Sequence, residues 1–579
     1  MSNDYYESHR GEWQWQDGEY TVTRTTAWSG PGCHDGCGVL YYTKDGKLEK
    51  VEGDPDNPFN QGALCMRCLE MPEFVNNPTR LGHPMKRAGE RGENKWERVS
   101  WGEALDLIEE KVRAIWKDYG PESIVCHIGT GRNNCDQIPY LCYAAFGSPN
   151  FSMGYLAGDS CFCPRSASMA SQNGDFMIAD CSQQFEKRYD ESTGWRCPEV
   201  IVNWGCNAVV SNSDNFFGGW IVDCMQRGSK MITIDPSLTW LASRSAYWLR
   251  VRPGTDAALA MAMLNVIISE DLYDHDFVDK WCYGFDQLAE RVRDMPVEKA
   301  AGICGIDADL IREAARVYAT SKPAQIAWGL AIDQKSNGVQ AGHCVLALEA
   351  ITGNIDVPGG QLIGDVNDGL ELGFGWNNLG PELQGKIMGI KEYPAYVGLV
   401  LNAQCDMVLD ALETGEPYAF KMGGFEDTNF LAGTCAAQPK RWHDAMVKNL
   451  EWCFGIDVWM TPTIQACCEL FLPLSTTVEH DTVVYTHYGA SPIMAGAVNK
   501  SITVGEGKGD CEIMYEIGKR CMPENYERFE DYYDFLEYYR LNNKQTFAEL
   551  REEVVRGPLP QVRDEFAERA GAGGRGVKG

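Results

Sequence analysis

Two close pairs of cysteines near the N-terminus constrain this chain more than any other feature. Cys33 and Cys37 form the first pair, and Cys65 and Cys68 form the second after 27 intervening residues. Each pair can present two thiolates from one turn, and the segment between them can bring the pairs together. The spacing fits an iron–sulfur cluster and a structural zinc ion equally well, because spacing alone does not separate iron from zinc. Four unrelated thiols are the third interpretation.

Composition and charge exclude several classes of protein. The chain has 579 residues, 23 cysteines and a net charge of −30, and its length suggests about three or four domains. The negative charge argues against nucleic-acid binding, and small disulfide scaffolds are far shorter. No apolar run approaches the roughly 18 residues of a membrane span, and the first 20 residues lack a signal core. We therefore expect a cytoplasmic protein with mostly free thiols.

The pattern after the cysteines predicts a parallel α/β fold. Asp45-Gly46 between apolar runs predicts a β-hairpin within residues 39–51, and Ser100 with Glu103 is a helix-capping pattern. Buried strands then alternate with helices, with strands expected at 123–126, 200–205 and 230–236. A second α/β section is expected at 418–474. Ligands of such folds bind at the carboxyl ends of the strands.

Residues at the expected strand ends suit a nucleotide. Trp204-Gly205, Asp235-Pro236 and Gly254-Thr255-Asp256 each follow a strand, where backbone amides can approach phosphate and carboxylates can accept hydrogen bonds. Ordinary turn chemistry explains each of them equally well. No dinucleotide or Walker A glycine motif is present, so NAD and ATP sites are not supported. The run around Cys161 and Cys163 is either a buried loop or a metal-ligand loop.

In this order, the segments resemble the molybdenum- and tungsten-dependent bis-pterin oxidoreductases of the dimethyl sulfoxide reductase superfamily. The resemblance covers nearly the whole chain. It rests on the cysteine pairs and on residues 95–104, 203–207, 235–236, 252–256, 352–360, 461–463 and 472–479. Residues 32–34, 65–68, 161–165 and 188–190 are most similar to the branch of acetylene hydratase, transhydroxylase and catechol dehydroxylase.

The resemblance implies a [4Fe–4S] cluster on Cys33, Cys37, Cys65 and Cys68. The family's first cluster cysteine is replaced by Gly30, so Cys68 is expected to supply the fourth ligand, and His34 is the weaker substitute. The second implied cofactor is a molybdenum or tungsten bis-molybdopterin guanine dinucleotide. Cys161 is its expected metal ligand and Cys163 the fallback. Phe162 stands where formate dehydrogenases have histidine, which argues against formate oxidation.

The resemblance also assigns binding and catalytic residues. Arg67 is expected between the cluster and the pterin, and His34 and Asp190 are candidates for proton transfer, with Arg67 counted among the catalytic residues. A salt bridge with Arg188 is the simpler interpretation of Asp190. The residues expected to bind the cofactor are Arg67, Trp204, Gly205, Asn207, Asp235, Pro236, Gly254, Asp256 and Gly329.

The implied fold is multidomain α/β, with an N-terminal iron–sulfur β-module followed by two Rossmann-like parallel α/β domains. The expected boundaries are 1–90 for the module, 91–400 and 401–545 for the pterin-binding regions, and 546–579 for a disordered tail. The β-barrel domain with which family members usually continue is not evident after residue 545. A fragment of a longer enzyme is one interpretation of that pattern.

The implied function is a redox reaction on a small molecule. We expect reductive dehydroxylation of, or hydroxyl transfer on, a phenolic or catechol substrate, with an iron–sulfur electron-transfer subunit as the implied partner. A non-redox hydratase of the acetylene type, acting on a small unsaturated substrate, is the alternative. It is weakened because Cys33-His34 replaces the Cys-Asp pair of acetylene hydratase. An inactive or electron-transfer remnant is the third hypothesis.

Overall fold

The structure is a computed structural model, and it describes most of the chain. The described residues are 3–28, 33, 35–129, 137–153, 163–174, 177–181, 195–211, 217–363, 375–394, 397, 402–433, 438–485, 495–553 and 555–556. They fall into two compact units. The first unit contains the described residues up to 153 and from 375 to 556, and the second contains those from 163 to 363.

Twenty strands are present among the described residues. In chain order they are β1 Gln14–Asp17, β2 Tyr20–Ala27, β3 Cys37–Lys44, β4 Lys47–Gly53, β5 Met85–Arg87, β6 Trp96–Arg98, β7 Ile124–Ile128, β8 Phe151–Ser152, β9 Met177–Ala179, β10 Val200–Trp204, β11 Lys230–Ile234, β12 Tyr247–Leu249, β13 Ala324–Trp328, β14 Gln361–Ile363, β15 Met422–Glu426, β16 Trp452–Asp457, β17 Leu470–Pro473, β18 Thr482–Tyr485, β19 Ala495–Val498 and β20 Val555–Arg556.

The α-helices of the described residues surround these strands. They are α1 Asn3–Ser8, α2 Met66–Leu69, α3 Met71–Val75, α4 Trp101–Tyr119, α5 Gln137–Tyr140, α6 Cys163–Asn173, α7 Ala208–Ser211, α8 Phe217–Gln226, α9 Asp256–Ser269, α10 His275–Trp281, α11 Phe285–Val292, α12 Val297–Cys304, α13 Ala308–Thr320, α14 Leu330–Asp333, α15 Gly338–Ile351, α16 Pro381–Gln384, α17 Cys405–Thr414, α18 Pro439–Asn449, α19 Pro462–Cys467, α20 Asp510–Cys521, α21 Pro523–Tyr526, α22 Tyr532–Leu541 and α23 Phe547–Glu553. None of the described helices is long and apolar enough to cross a membrane.

The N-terminal sheet is a four-stranded antiparallel meander in the order β1-β2-β3-β4. Its β3–β4 hairpin turns at Asp45-Gly46, as the sequence predicts, and both residues have positive φ. Arg24 of β2 is buried and forms an ion pair with buried Asp54, at 3.1 Å between Nε and Oδ2. This pair fixes the loop after β4, which leads to the second cysteine pair.

The main sheet of the first unit has seven strands in the order β6-β5-β17-β16-β15-β7-β8. Strands β17, β16, β15, β7 and β8 run parallel, and β5 and β6 add an antiparallel edge. Apolar runs without alternation explain this placement, since β7 and β15 are buried along their whole length. The capping box predicted at Ser100 and Glu103 begins α4, which packs in the same core.

The second unit contains a four-stranded parallel sheet in the order β12-β11-β10-β13. The chain passes from β10 to β11 and β12 on one side and returns as β13 on the other side of β10. Helices α9, α13 and α15 bury their apolar residues in the core of this unit. The predicted class, an N-terminal β-module with two parallel α/β regions, is confirmed.

Two placements differ from the sequence expectation. Strand β7 lies within residues 91–400, yet it pairs with β15 of the region 401–545, so the two expected regions share one sheet. The expected tail from 546 includes a real helix, α23, whose Phe547 and Leu550 are buried. Thr546 and Glu549 cap that helix reciprocally, a short signal that is easily missed. The expected boundaries themselves stay predictions.

Candidate functional site

The four-cysteine site (Cys33, Cys37, Cys65 and Cys68) brings both pairs together. Cys37 begins β3, Cys65 caps the N-terminus of α2, and Cys68 lies within that helix. The Cys68 thiol is in hydrogen-bonding contact with Cys37 and Cys65, and Cys33 is close enough to raise the pKa of both Cys37 and Cys68. Cys65 is half-buried and the other three are buried. Cys68 therefore turns toward the other three cysteines, while its role as a ligand stays a prediction.

An asparagine holds the two cysteine pairs against each other. The Asn60 side chain accepts a hydrogen bond from the backbone N–H of Gly38 at 2.8 Å and donates to the Gly38 carbonyl at 2.9 Å. It also donates to the carbonyl of Ala63 at 2.9 Å. Gly38 follows Cys37 directly, and Ala63 precedes Cys65 by two residues. The sequence analysis missed this link, although Asn60 lies in the loop between the pairs.

The electrostatics of the site favour protonated thiols when no cation is bound. Contact with Cys68 and burial raise the pKa of Cys65 to about 12. Contact with Cys37 likewise raises the pKa of Cys68. Contact with Cys68 lowers the pKa of Cys37, but burial and neighbouring charges outweigh this and raise it. A bound cation must displace these protons, because the thiolate is the ligand form.

The donor set consists of four sulfur atoms. No three described His, Cys, Asp or Glu side chains surround one point closely enough to hold one metal ion. A tetrahedral zinc site needs its four sulfurs about 2.3 Å from one centre, whereas an iron–sulfur cluster spreads its ligands over four metals. The four thiols supply the soft sulfur donors that either group takes.

Arg67 places a cation beside these thiols. It is exposed on α2, and its guanidinium contacts the Cys65 thiol. Burial lowers the pKa of Arg67, but the contact with Cys65 and the nearby Cys33 outweigh this effect and raise it. The expected role of Arg67 between two cofactors stays a prediction. The other three expected site residues in the catalytic and metal sets, His34, Asp190 and Cys161, lie outside the described residues.

The second-unit edge is the carboxyl edge of the β12-β11-β10-β13 sheet. All the expected cofactor-binding residues except Arg67 lie there. Gly205 and Asn207 follow β10, Asp235 follows β11, and Gly329 follows β13. The order β12-β11-β10-β13 places β10 next to the last strand of the sheet, and ligands of such sheets bind in the crevice outside the carboxyl ends of the strands where the strand order reverses. The Gly329 N–H donates to the Trp204 carbonyl at 3.0 Å, so the two loops are joined at the crevice.

Two residues of this edge that were expected to bind the cofactor make their polar contacts within the protein. The Trp204 indole is fully buried and donates to Asp256 Oδ1 at 2.9 Å. The other carboxylate oxygen of Asp256 forms an ion pair with Lys335. Trp204 and Asp256 therefore support the crevice from inside. Asp235 closes its own turn by accepting from the N–H of Ser237 at 2.8 Å.

Gly205 and two further expected residues, Gly254 and Pro236, lie at this edge. Gly205 has a φ of +59°, and a Cβ there would lie 2.7 Å from the Cβ of Ala331. Gly254 has a φ of +87° and is exposed at the turn before α9. Pro236 is exposed after β11. Gly254 leaves room for a close backbone approach, which a phosphate-binding edge requires, whereas Gly205 makes room for Ala331 and Pro236 has no N–H to donate.

An ion pair between partly buried Arg165 and buried Asp333, which the sequence did not predict, fixes the start of α6. Arg165 donates from Nη2 and Nε to Asp333 Oδ2 at 2.7 and 3.2 Å, and from its backbone N–H to Asp333 Oδ1 at 2.7 Å. Its Nη1 donates to the Trp328 carbonyl at 2.9 Å. Asp333 is buried at the end of α14. The helix that follows the Cys161 segment is thus tied to the second-unit edge.

The carboxyl edge of the seven-stranded sheet, the first-unit edge, carries a second cavity. It has a volume of about 360 Å³, and its lining includes Asp427 after β15, Asp457 at the end of β16 and Asp510 at the start of α20. Burial, with added repulsion from Asp510, raises the pKa of Asp457 to about 7. Burial also raises the pKa of Asp427. The sequence analysis missed this cluster of three acids.

Residues of the resembling motifs shape the same cavity. Thr461 caps α19 through its hydroxyl, and Ser475 Oγ lies 2.8 Å from Nδ1 of His480. Glu479 pairs with Arg80 at 2.7 Å, where both side chains are nearly inaccessible. Glu479 also accepts from the backbone N–H of Thr476. These contacts give the motif residues structural roles around a ligand-sized space.

The comparisons with known proteins agree with this architecture. The family model described as molybdopterin oxidoreductase matches residues 80–520, and that described as molybdopterin oxidoreductase Fe4S4 domain matches residues 30–77. The chain is 29% identical over 534 residues to acetylene hydratase of Syntrophotalea acetylenica, covering 87% of this chain and 70% of that protein. It is 27% identical over 581 residues to a probable dimethyl sulfoxide reductase chain of Escherichia coli, covering 92% and 68%.

A solved structure is similar over most of its length. Acetylene hydratase from Pelobacter acetylenicus superimposes with a TM-score of 0.80 at 25% sequence identity, covering 93% of this chain and 75% of that one. The chain is also 26% identical over 536 residues to the molybdopterin-containing subunit of thiosulfate reductase from Salmonella typhimurium, covering 90% and 67%.

Proposed function

The chain belongs to the molybdopterin oxidoreductase family, and on this premise we propose that it is a molybdenum- or tungsten-dependent enzyme acting on phenolic or catechol hydroxyl groups. The predicted family is confirmed, and the matches support an iron–sulfur cluster and a molybdopterin as its cofactors. The observation that carries the redox assignment is the convergence of four cysteine thiols beside the cation of Arg67.

In this proposal, different cysteines of the protein hold different metal groups. Cys33, Cys37, Cys65 and Cys68 would hold a [4Fe–4S] cluster, and Cys161 would ligate molybdenum or tungsten. A bis-pterin guanine dinucleotide would supply the oxygen-group and electron chemistry when bound. The two strand edges would receive its nucleotide ends, with the buried acids of the first-unit edge accepting N–H donors.

Charge and proton handling complete the proposal. Arg67 would stabilise negative charge that moves past the four-cysteine site, because its guanidinium stays protonated at all working pH values. His34 and Asp190 would transfer the protons that removal of a hydroxyl as water consumes. An iron–sulfur electron-transfer subunit would supply the electrons.

Hydration of acetylene is the second candidate. The similarity to acetylene hydratase in sequence and in fold favours it. A hydration consumes water and no electrons, so the two candidates differ in their need for a reductant.

Metal content and turnover test the proposal. Protein purified without oxygen should contain about one molybdenum or tungsten and about four iron atoms per chain. Catechol should oxidise a reduced dye in its presence, and acetylene should not be consumed. Acetylene hydration without dye oxidation would support the second candidate, and iron without molybdenum or tungsten would contradict both.

The fourth cluster ligand has its own test. Replacing Cys68 with alanine should remove most of the bound iron and the visible absorbance of the cluster, because three thiolates hold a four-iron cluster poorly. Cys304→Ala is the matched control, since Cys304 is a buried cysteine of the second unit. Iron content unchanged in Cys68→Ala would exclude Cys68 as a ligand.

A further inference from the structure

A cavity in the second unit lies among helices α6, α10, α11 and α15 and contains none of the residues assigned above. Its volume is about 520 Å³, within the range of roughly 300–1,000 Å³ typical of small-molecule sites. Helix α6 begins at Cys163, and the cavity is lined by residues at its other end, about 12–15 Å along the helix. The cavity is therefore distinct from the second-unit edge.

The walls of this cavity suit a flat ring. Four aromatic side chains line it, those of Phe277, Trp281, Tyr283 and Phe285. Ala347 and Ala350 of α15 also line the cavity, and their short side chains leave room for a ligand. Tyr283 is 81% exposed, so it stands where the cavity meets solvent. Aromatic rings favour stacked or edge-to-face contacts with another ring.

One side chain in the cavity presents a defined hydrogen-bond acceptor. His343 Nε2 lies 3.0 Å from Ser171 Oγ, and that hydroxyl lies 2.6 Å from the carbonyl of Ala167. Because a hydroxyl has one hydrogen and the carbonyl can only accept, Ser171 donates to Ala167 and accepts from Nε2–H of His343. The proton on Nε2 leaves Nδ1 as an acceptor in the neutral ring.

Nothing else in the described part of the chain uses this acceptor. His343 makes no other hydrogen bond or ion pair with described residues. Burial lowers the pKa of His343, so the ring is neutral near pH 7. A neutral acceptor needs a ligand with a donor, and a hydroxyl provides one, whereas an ionised carboxylate does not.

We propose that this cavity is a binding site for a neutral hydroxylated aromatic molecule of the phenol class, with the ring against the aromatic wall and the hydroxyl donating to His343 Nδ1. The observations that carry it are the four aromatic side chains and the unused acceptor of the Ser171–His343 pair. The site goes beyond the proposed reaction and does not depend on it, because it shares no residue with the candidate functional site.

Calorimetric titration of the purified full-length protein with phenol and with anisole tests the site. Anisole has the same ring but no donor, so it should bind roughly three- to tenfold more weakly than phenol. His343→Ala should weaken phenol binding to the level of anisole and leave anisole unchanged. His443→Ala is the matched control, because it removes an exposed histidine of the first unit and should change neither affinity.

A second variant separates the cavity from any other phenol site. Ala350→Leu fills the space beside the aromatic wall and should abolish binding of both compounds to the cavity. Equal affinities of the wild-type protein for phenol and anisole would overturn the proposal without any variant. Phenol binding that is unaffected by both His343→Ala and Ala350→Leu would also overturn it. Dye oxidation by catechol in Ala350→Leu reports the proposed reaction separately, so the two proposals can fail independently.

Discussion

Each of the two parallel sheets carries acidic side chains at its own carboxyl edge, but the residues around those acids differ between the two sheets. At the second-unit edge, Asp256 faces Lys335 and Asp333 faces Arg165. At the first-unit edge, three acids line one cavity, and repulsion from Asp510 adds to burial in raising the pKa of Asp457 to about 7. One edge is therefore neutralised by the protein's own cations, whereas the other crowds like charges together.

The difference distinguishes acids that stabilise the fold from acids that are available to bind a ligand. A carboxylate that is paired with a cation is unavailable to a ligand, and removing it leaves the cation without a partner, which is destabilising. Carboxylates that crowd one another in a buried space are held at an energetic cost, which a ligand that brings hydrogen-bond donors can remove. We therefore expect substitutions to destabilise the second-unit edge and to stabilise the ligand-free first-unit edge.

The largest expected effect is loss of the Asp333 carboxylate. Asp333→Ala should lower the free energy of unfolding by about 3–4 kcal/mol, because it leaves the partly buried Arg165 without its partner. Urea denaturation measures the change. Asp309→Ala is the matched control, since Asp309 is exposed and pairs with Arg312 on the surface, and it should change stability by less than about 0.5 kcal/mol. Equal effects of the two substitutions would contradict the view that the second-unit edge depends on its ion pairs.

The opposite sign is expected at the first-unit edge. Asp457→Asn keeps the shape and the acceptor oxygen for the Trp459 N–H but removes the ionisable group. At pH 8 it should stabilise the cofactor-free protein by on the order of 2–3 kcal/mol, because burial disfavours the carboxylate. Denaturation of the cofactor-free variant and wild type measures the gain. In protein loaded with cofactor, the stability gained by the substitution should be smaller. If Asp457→Asn instead destabilises the cofactor-free protein, the Asp457 carboxylate stabilises the fold and the prediction is wrong.

The pH dependence of that gain follows from the direction of the shift. An ordinary aspartate titrates near pH 3.9, whereas Asp457 in the folded protein has a pKa of about 7. Between these values the folded state holds a proton that the unfolded state has lost, so wild-type stability falls as pH rises from about 4 to 7. The gap between Asp457→Asn and wild type should therefore be full at pH 8 and close near pH 4. A gap that is constant with pH would refute the raised pKa.

The parts of the fold that the sequence predicts are those encoded locally. The hairpin at Asp45-Gly46, the capping box at Ser100 and the buried strands β7, β10 and β11 each carry their signal within a few residues. The four-cysteine site is predictable for the same reason, since each pair lies within five residues.

Contacts between residues that are far apart in the sequence could not be predicted from such local signals. Arg165 and Asp333 are 168 residues apart, and nothing in either local sequence specifies the other. Asp427 follows β15, Asp457 ends β16 and Asp510 begins α20. Aspartate is common at strand ends and helix starts as ordinary turn or capping chemistry. Their crowding appears only when the parallel strands align their carboxyl ends. The Trp204–Asp256 hydrogen bond was also missed, so two residues expected to bind cofactor proved to be committed to each other.

The smallest expected effect tests how tightly the second-unit edge is prebuilt. Gly254 has a φ of +87°, and within the described chain no heavy atom lies within 4 Å of where a Cβ would stand, so Gly254→Ala should cost about 1 kcal/mol of stability through backbone strain alone. Gly205→Ala adds a clash with Ala331 at 2.7 Å and should cost about 2–3 kcal/mol. Thermal denaturation of both variants compares them. Because the clash lies where the β10 and β13 loops cross, a larger loss in Gly205→Ala places the rigidity of this edge at the crossing. Equal losses would mean that the crossing relaxes and that the edge is held by its ion pairs alone.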